Sequence, residues 1–141
     1  MYAVIRIRGL GGLKKATKDT LVMLRLHKKM HCVLIKENDC MKGMLQKVRD
    51  YVTWGEIDDD VLLNLIMKRG RKLTNKRIEE KEVEEISKKA KESQKIPEEM
   101  VPVFRLSPPS KGFKKSIKQH YPNGELGYRG KEINELLKRM I

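Results

Sequence analysis

The sequence predicts an α+β protein, with a strand–helix–strand–helix–strand core over residues 1–60 and a mostly helical, basic-looped extension over 61–141. Three observations carry this. Short apolar runs at 3–8, 31–36 and 51–54 are separated by segments with helical spacing. Apolar residues return at helical spacing from residue 61 and again at the end of the chain. Residues 105–130 are rich in Pro, Gly and Lys and carry neither period, which predicts a segment without regular structure.

Residues 3–8 read as the first strand, ended by the turn Gly9-Leu10-Gly11-Gly12. Residues 17–27 read as a helix with Thr20, Leu21 and Leu24 on one face. Residues 31–36 form a largely buried second strand. Asn38 or Asp39 caps a second helix, whose Met41, Met44, Leu45 and Val48 make an i, i+3, i+4, i+7 stripe. Residues 51–54 are the third strand. Short helices between short strands imply crossovers, with the helices packed on one sheet face. Asp58 caps a third helix carrying Val61, Leu62, Leu65 and Ile66, and Gly70 ends it. After a basic turn at 71–77, residues 78–93 form a highly charged helix. Its apolar face is thin, which predicts a peripheral position. The last helix, 131–141, repeats the stripe with Ile133, Leu136, Leu137 and Met140.

The 141 residues carry a formal net charge of +13, a balance that attracts polyanions: RNA, DNA or an acidic membrane surface. The charge is segregated. Residues 1–18, 20–36, 61–78 and 100–124 contain no Asp or Glu, while the acids collect at 37–60, 79–99 and 125–135. A single charge run is usually a solvated face. Four such windows, each containing or adjoining turn formers, point instead to basic loops that meet phosphates. Candidate RNA contacts are Arg6, Arg8, Lys14 and Lys15 around the glycine turn, and Arg25, Lys28 and Lys29 after the first helix. The basic turn adds Lys68, Arg69, Arg71, Lys72, Lys76 and Arg77. The loop around 105–118 adds Arg105, Lys111, Lys114 and Lys115, with Phe113 placed to stack on a base. That loop is expected to order on RNA.

Other chemistry is poorly supported. No catalytic residues, metal ligands or cofactor site are expected. His27, His31 and Cys32 lack the second ligand pair of a zinc site. The glycine turn is neither GxGxxG nor a P-loop. Asp58, Asp59 and Asp60 complement a helix start. Cys40, near a helix N-terminus, reads as a small packing residue. No apolar run is long enough to cross a membrane, the first residues do not read as a signal peptide, and two cysteines without a framework fit a reducing, cytoplasmic setting.

Several strings are more specific. Residues 43–48 (GMLQKV) followed by 51–58 (YVTWGEID) resemble the ribosomal large-subunit protein thirty family in its archaeal form, related to protein seven of the eukaryotic large subunit. Residues 68–70 (KRG), 75–77 (NKR), 104–109 (FRLSPP) and 133–140 (INELLKRM) extend the likeness in the same order along nearly the whole chain. The resemblance implies a three-stranded antiparallel sheet with two helices on one face, in a ferredoxin-like β-α-β-α-β order. It implies a structural constituent of the large subunit, in the cytoplasmic ribosome, that binds and stabilises ribosomal RNA. The smaller ribosomal RNA of that subunit and neighbouring ribosomal proteins are further partners it suggests. It implies no small-molecule substrate, no membrane and no autonomous homo-oligomer. In the family the loop after the first strand and the end of the first helix face RNA, which here means Arg6, Arg8, Lys14, Lys15, Arg25, Lys28 and Lys29. The glycine turn departs from the bacterial Ser-x-Ile-Gly pattern, so bacterial contacts do not transfer to residues 9–12.

The alternative is a non-ribosomal RNA- or DNA-binding architectural protein. A groove-reading protein needs a basic recognition helix, and the helices here carry many outward acids. An enzyme acting on RNA would need a convergent acid–base or metal set, which the sequence lacks.

Overall fold

The computed structural model describes residues 1–141. Its strands are β1 (Tyr2–Arg6), β2 (His31–Ile35), β3 (Val52–Glu56), β4 (Val103–Arg105), β5 (Ser116–His120) and β6 (Gly124–Tyr128). Its helices are α1 (Lys15–Met23), α2 (Asp39–Lys47), α3 (Asp59–Arg69), α4 (Glu80–Ser93) and α5 (Ile133–Met140). All six strands join one sheet in the order β4-β2-β1-β3-β6-β5.

The expected three-stranded antiparallel unit lies at its centre. β1 runs between β2 and β3, antiparallel to both, with Val4 opposite Val33 on one side and Trp54 on the other. The sheet is larger than expected because the extension adds strands at both edges. β4 pairs antiparallel with β2, placing Arg105 opposite His31. β6 runs parallel to β3, with Thr53 opposite Gly127, and β5 pairs with β6 across an irregular register. The segment 105–130, expected to be irregular, thus contains two whole strands.

Alternation along each central strand feeds two separate cores. Tyr2, Val4, Val33, Val52 and Trp54 face α1 and α2, where Leu21, Leu24, Leu45 and Val48 cover them. This is the expected face bearing two helices. Ala3, Ile5, Cys32 and Leu34 point the other way, onto α3, α4 and α5. α4 is not peripheral: Val83, Ile86 and Ala90 are buried, because even a thin stripe suffices when it lies flat on α3. Cys40 is exposed rather than packed.

Two local features fix the extension to the sheet. A Cβ on Gly55 would lie 1.9 Å from the Gly130 carbonyl oxygen, so only glycine in β3 lets the turn before α5 approach. Asn134 on α5 accepts a hydrogen bond from Asp58 N–H at 2.9 Å and donates to the Glu56 carbonyl at 3.0 Å. Asn38 caps α2 as expected, accepting from Met41 N–H at 2.7 Å. Asp58 holds the N-cap position of α3 without a side-chain capping bond.

Candidate nucleic-acid interface

The basic residues lie at the ends of β1 and β2, along the β4 edge and, for Lys114, Lys115 and Lys118, at or beside β5 on the opposite edge of the sheet. Arg6, at the end of β1, is 1% exposed. Its guanidinium donates to the carbonyls of Arg8 (2.9 Å), Leu26 (2.7 Å) and His27 (3.0 Å). Burial pushes its pKa below the ordinary arginine value, and the three carbonyls offset that desolvation. Arg6 is therefore not presented to solvent; it holds the chain that carries Arg8, Lys28 and Lys29. Arg8 is half-buried, stacked 5.3 Å from the Tyr51 ring centre.

The loop after α1 is stiff. Leu26 N–H bonds to the Leu21 carbonyl and Arg25 N–H to that of Val22, both at 2.9 Å, which is a Schellman closure. Arg25 occupies its left-handed position with φ 60°, where glycine is usual. Met30, with φ 62°, closes the loop by donating to the Arg6 carbonyl at 2.8 Å. Lys28 and Lys29 stand exposed on it. The Lys29 side chain crosses Gly9, where a Cβ would lie 2.8 Å from its Cε, so this loop touches the glycine turn. Lys14 and Lys15 are exposed at the start of α1, whose first turn holds no acid. Cations there oppose the helix dipole and leave its free N–H groups open to an anion.

From this loop the positive surface continues past His31, held neutral by its surroundings, to Arg105, its partner across the β2–β4 ladder. Burial lowers the His31 pKa first, and the charges of Arg105, His27, Lys28 and Arg6 lower it further. Arg105 in turn shares a cavity with Lys68, Arg69, Arg71 and Arg77. The structure thus brings residues of all four acid-free windows onto one face, running from Arg8 and Lys29 through Lys28, His31 and Arg105 to the turn after α3. Lys76 is exposed on that turn.

Other candidates lie apart or are engaged within the chain. Arg25 borders a separate, partly apolar groove with Met23, Met41 and Leu73. Lys72 pairs with Glu82 at 2.7 Å, and this bond holds the Glu82 carboxyl below its usual range. Lys114 pairs with Glu135 at 2.9 Å, with the same effect on Glu135. Lys115 sits 4.8 Å from the centre of the Tyr121 ring. Phe113 is half-buried against the core shared with α5, not displayed for stacking. The loop carrying Lys111 is tied to α5: Ser107 and Ser110 N–H groups bond to the Met140 and Arg139 carbonyls, and Arg139 donates to the carbonyls of Ser110 and Gly112. These bonds tie the segment to α5 within the chain.

Sequence reasoning did not foresee the approach of Arg105 to His31, because nothing local signals that β4 pairs with β2. Cys32 is buried, and burial pushes its thiol up to about 12, well away from a reactive thiolate. Asp59, one of the three clustered aspartates, pairs with Lys91 on α4 at 3.0 Å.

Comparison with known proteins gives a consistent picture. Residues 2–52 match the family described as ribosomal protein L30p/L7e. The chain is 47% identical to large ribosomal subunit protein uL30 of Archaeoglobus fulgidus, with 99% of each chain covered. It is 43% identical to the protein of that name from Methanosphaera stadtmanae, both chains covered in full. The Nanoarchaeum equitans protein is 44% identical, over 100% of this chain and 99% of its own.

Proposed function

Because the chain belongs to the ribosomal protein L30p/L7e family, we propose that it is a structural constituent of the large ribosomal subunit which stabilises folded ribosomal RNA through a continuous basic face. The observation that carries the residue-level reading is the joining of distant acid-free windows around Arg105. Lys28, Lys29, Lys68, Arg71, Arg77 and Arg105 take part in no ion pair within the chain. Their charges remain available to phosphates, whose crowding they relieve when RNA helices pack. The work is scaffolding rather than catalysis: exposed cations on a rigid frame read RNA shape and backbone, not base sequence. Residues 1–60 supply the docking core, and the extension carries the face beyond it. Neighbouring ribosomal proteins and the smaller ribosomal RNA are further partners in this reading.

The test is sedimentation of a cell lysate on a sucrose gradient at moderate salt. The protein is expected with large subunits and in complete ribosomes. Its confinement to the free pool would overturn the assignment.

A further inference from the structure

The turn after α3 does more than add charge to the basic face. Residues 71 and 77 form an antiparallel bridge, so two arginines lie opposite each other on paired backbone. Like charges in that position destabilise the pairing. The turn is nonetheless tightly made. Lys72 N–H bonds to the Lys76 carbonyl at 2.9 Å and Asn75 N–H to that of Lys72 at 2.7 Å, with Asn75 left-handed at φ 63°. Its base is equally fixed. A Cβ on Gly70 would lie 2.3 Å from the Ile66 carbonyl oxygen and 2.7 Å from Ile78 Cδ1.

Lys68, Arg69, Arg71, Arg77 and, from β4, Arg105 line a cavity of about 170 Å³ that no acidic side chain borders. The acids of α4 lie close in sequence, yet the one they lend to the turn, Glu82, takes Lys72, in a different cavity. Arg69 is engaged by the Ile141 main-chain oxygen and Ser107. Arg71 makes only long contacts of 3.3 and 3.4 Å to Asn75. At the C-terminus of α3, Lys68 and Arg69 also complement the helix dipole. No such account covers Arg71, Arg77 and Arg105.

We propose that this cavity is a preformed seat for one phosphate group of the RNA backbone, held by the guanidinium forks of Arg71, Arg77 and Arg105. The proposal rests on the RNA-binding reading above and goes beyond it: a fixed oxyanion sits between the opposed arginines and removes their repulsion. Guanidinium groups match tetrahedral phosphate oxygens bidentately, which lysines do not. A defined seat also fixes the register of the protein on its RNA, which diffuse attraction does not.

The experiment compares the full-length chain, the double variant R71Q/R77Q and a charge-matched control, K81Q/K88Q on α4, in binding to purified large-subunit ribosomal RNA over a range of salt. For the arginine pair, the plot of log affinity against log salt is expected to flatten by roughly one to two, and affinity to drop at least tenfold at low salt. The control is expected to change the slope by less than half as much. An R71K/R77K variant keeps the charge and loses the fork; it is expected to recover the slope but not the affinity. Equal slopes for the arginine pair and the unaltered chain would overturn the seat, as would equal losses in the arginine and control pairs. Failure of the unaltered chain to bind the RNA at all would instead sink the RNA-binding reading. In a second arm, inorganic phosphate is titrated against the unaltered chain while the arginine side-chain NMR signals are followed. Shifts at Arg71 and Arg77 that added RNA suppresses support a shared seat. Phosphate binding that RNA leaves undisturbed assigns the cavity to the free anion and overturns the proposal.

Discussion

Arg6 and Arg25 divide labour that looks identical in the sequence. Both are arginines in acid-free windows, but one is interior and one is exposed. Replacing Arg6 with Leu leaves the carbonyls of Arg8, Leu26 and His27 without their donor. The expected cost is about 3 kcal/mol, read as a lower urea midpoint with an unchanged m-value. Replacing Arg25 with Gly should act in the opposite sense on the fold. Glycine adopts the left-handed position freely, so stability is expected to hold or rise by up to about 1 kcal/mol in the same measurement. If RNA binding falls in that stabilised variant, Arg25 occupies a strained site for contact rather than folding. Gly55 gives a third residue-scale prediction. Gly55→Ala drives a methyl into the Gly130 carbonyl, and backbone on both sides cannot yield, so a loss of about 3 kcal/mol is expected by urea unfolding.

Among the elements, those stabilised by their own apolar pattern were legible in the sequence. β1, β2, β3, α2, α3 and α5 follow apolar runs or stripes closely. α1 is shorter than its pattern because residues 24–26 form the closing turn, and Arg25 hides a position that glycine would have advertised. β5 and β6 were not legible for a physical reason. Every residue of β5 is exposed, and β6 has two glycines and buries Glu125, so neither alternates. What holds β6 is non-local polar bonding. Arg129 donates to Thr53 Oγ1 at 2.8 Å and to the Glu125 carboxylate at 2.5 Å, while Thr53 donates to the Gly127 carbonyl at 3.0 Å. Glu125→Ala is thus expected to cost about 3–5 kcal/mol in thermal unfolding, since it strands a buried guanidinium. The basic windows were legible as charge, but their meeting was not, because it depends on β4, three residues long. For the 111–115 loop, changing Lys111, Lys114 and Lys115 together to Ala should move unfolding stability by less than about 0.5 kcal/mol, since the only ion pair lost is the exposed one to Glu135. A filter-binding assay with large-subunit RNA then decides whether this loop contributes: weakened binding supports the contact, and unchanged binding removes these lysines from the interface.

For the whole molecule, the net charge of +13 sets attraction and the rigid frame sets where it acts. If Arg8, Lys28, Lys29, Lys68, Arg71, Arg77 and Arg105 each meet a phosphate, log affinity for ribosomal RNA should fall against log salt with a slope of roughly −5 to −6. A slope near −1 would mean that most of this face is idle.

The central sheet has an apolar group on each side, and the two sides are covered by parts of the chain made at different times. α1 and α2 follow β1 closely and seal the first side early. Ala3, Ile5, Cys32 and Leu34 wait for α3, α4, Phe104 and finally α5. At a synthesis rate of about 5–20 residues per second, the roughly 80 residues after position 60 take about 4–16 s to emerge. During that interval the nascent chain is a half-clad sheet with an open β2 edge, and newly made protein is at its most adhesive before the last helix lands. A chaperone that binds apolar strands has its window there, and the docking of α5 closes it.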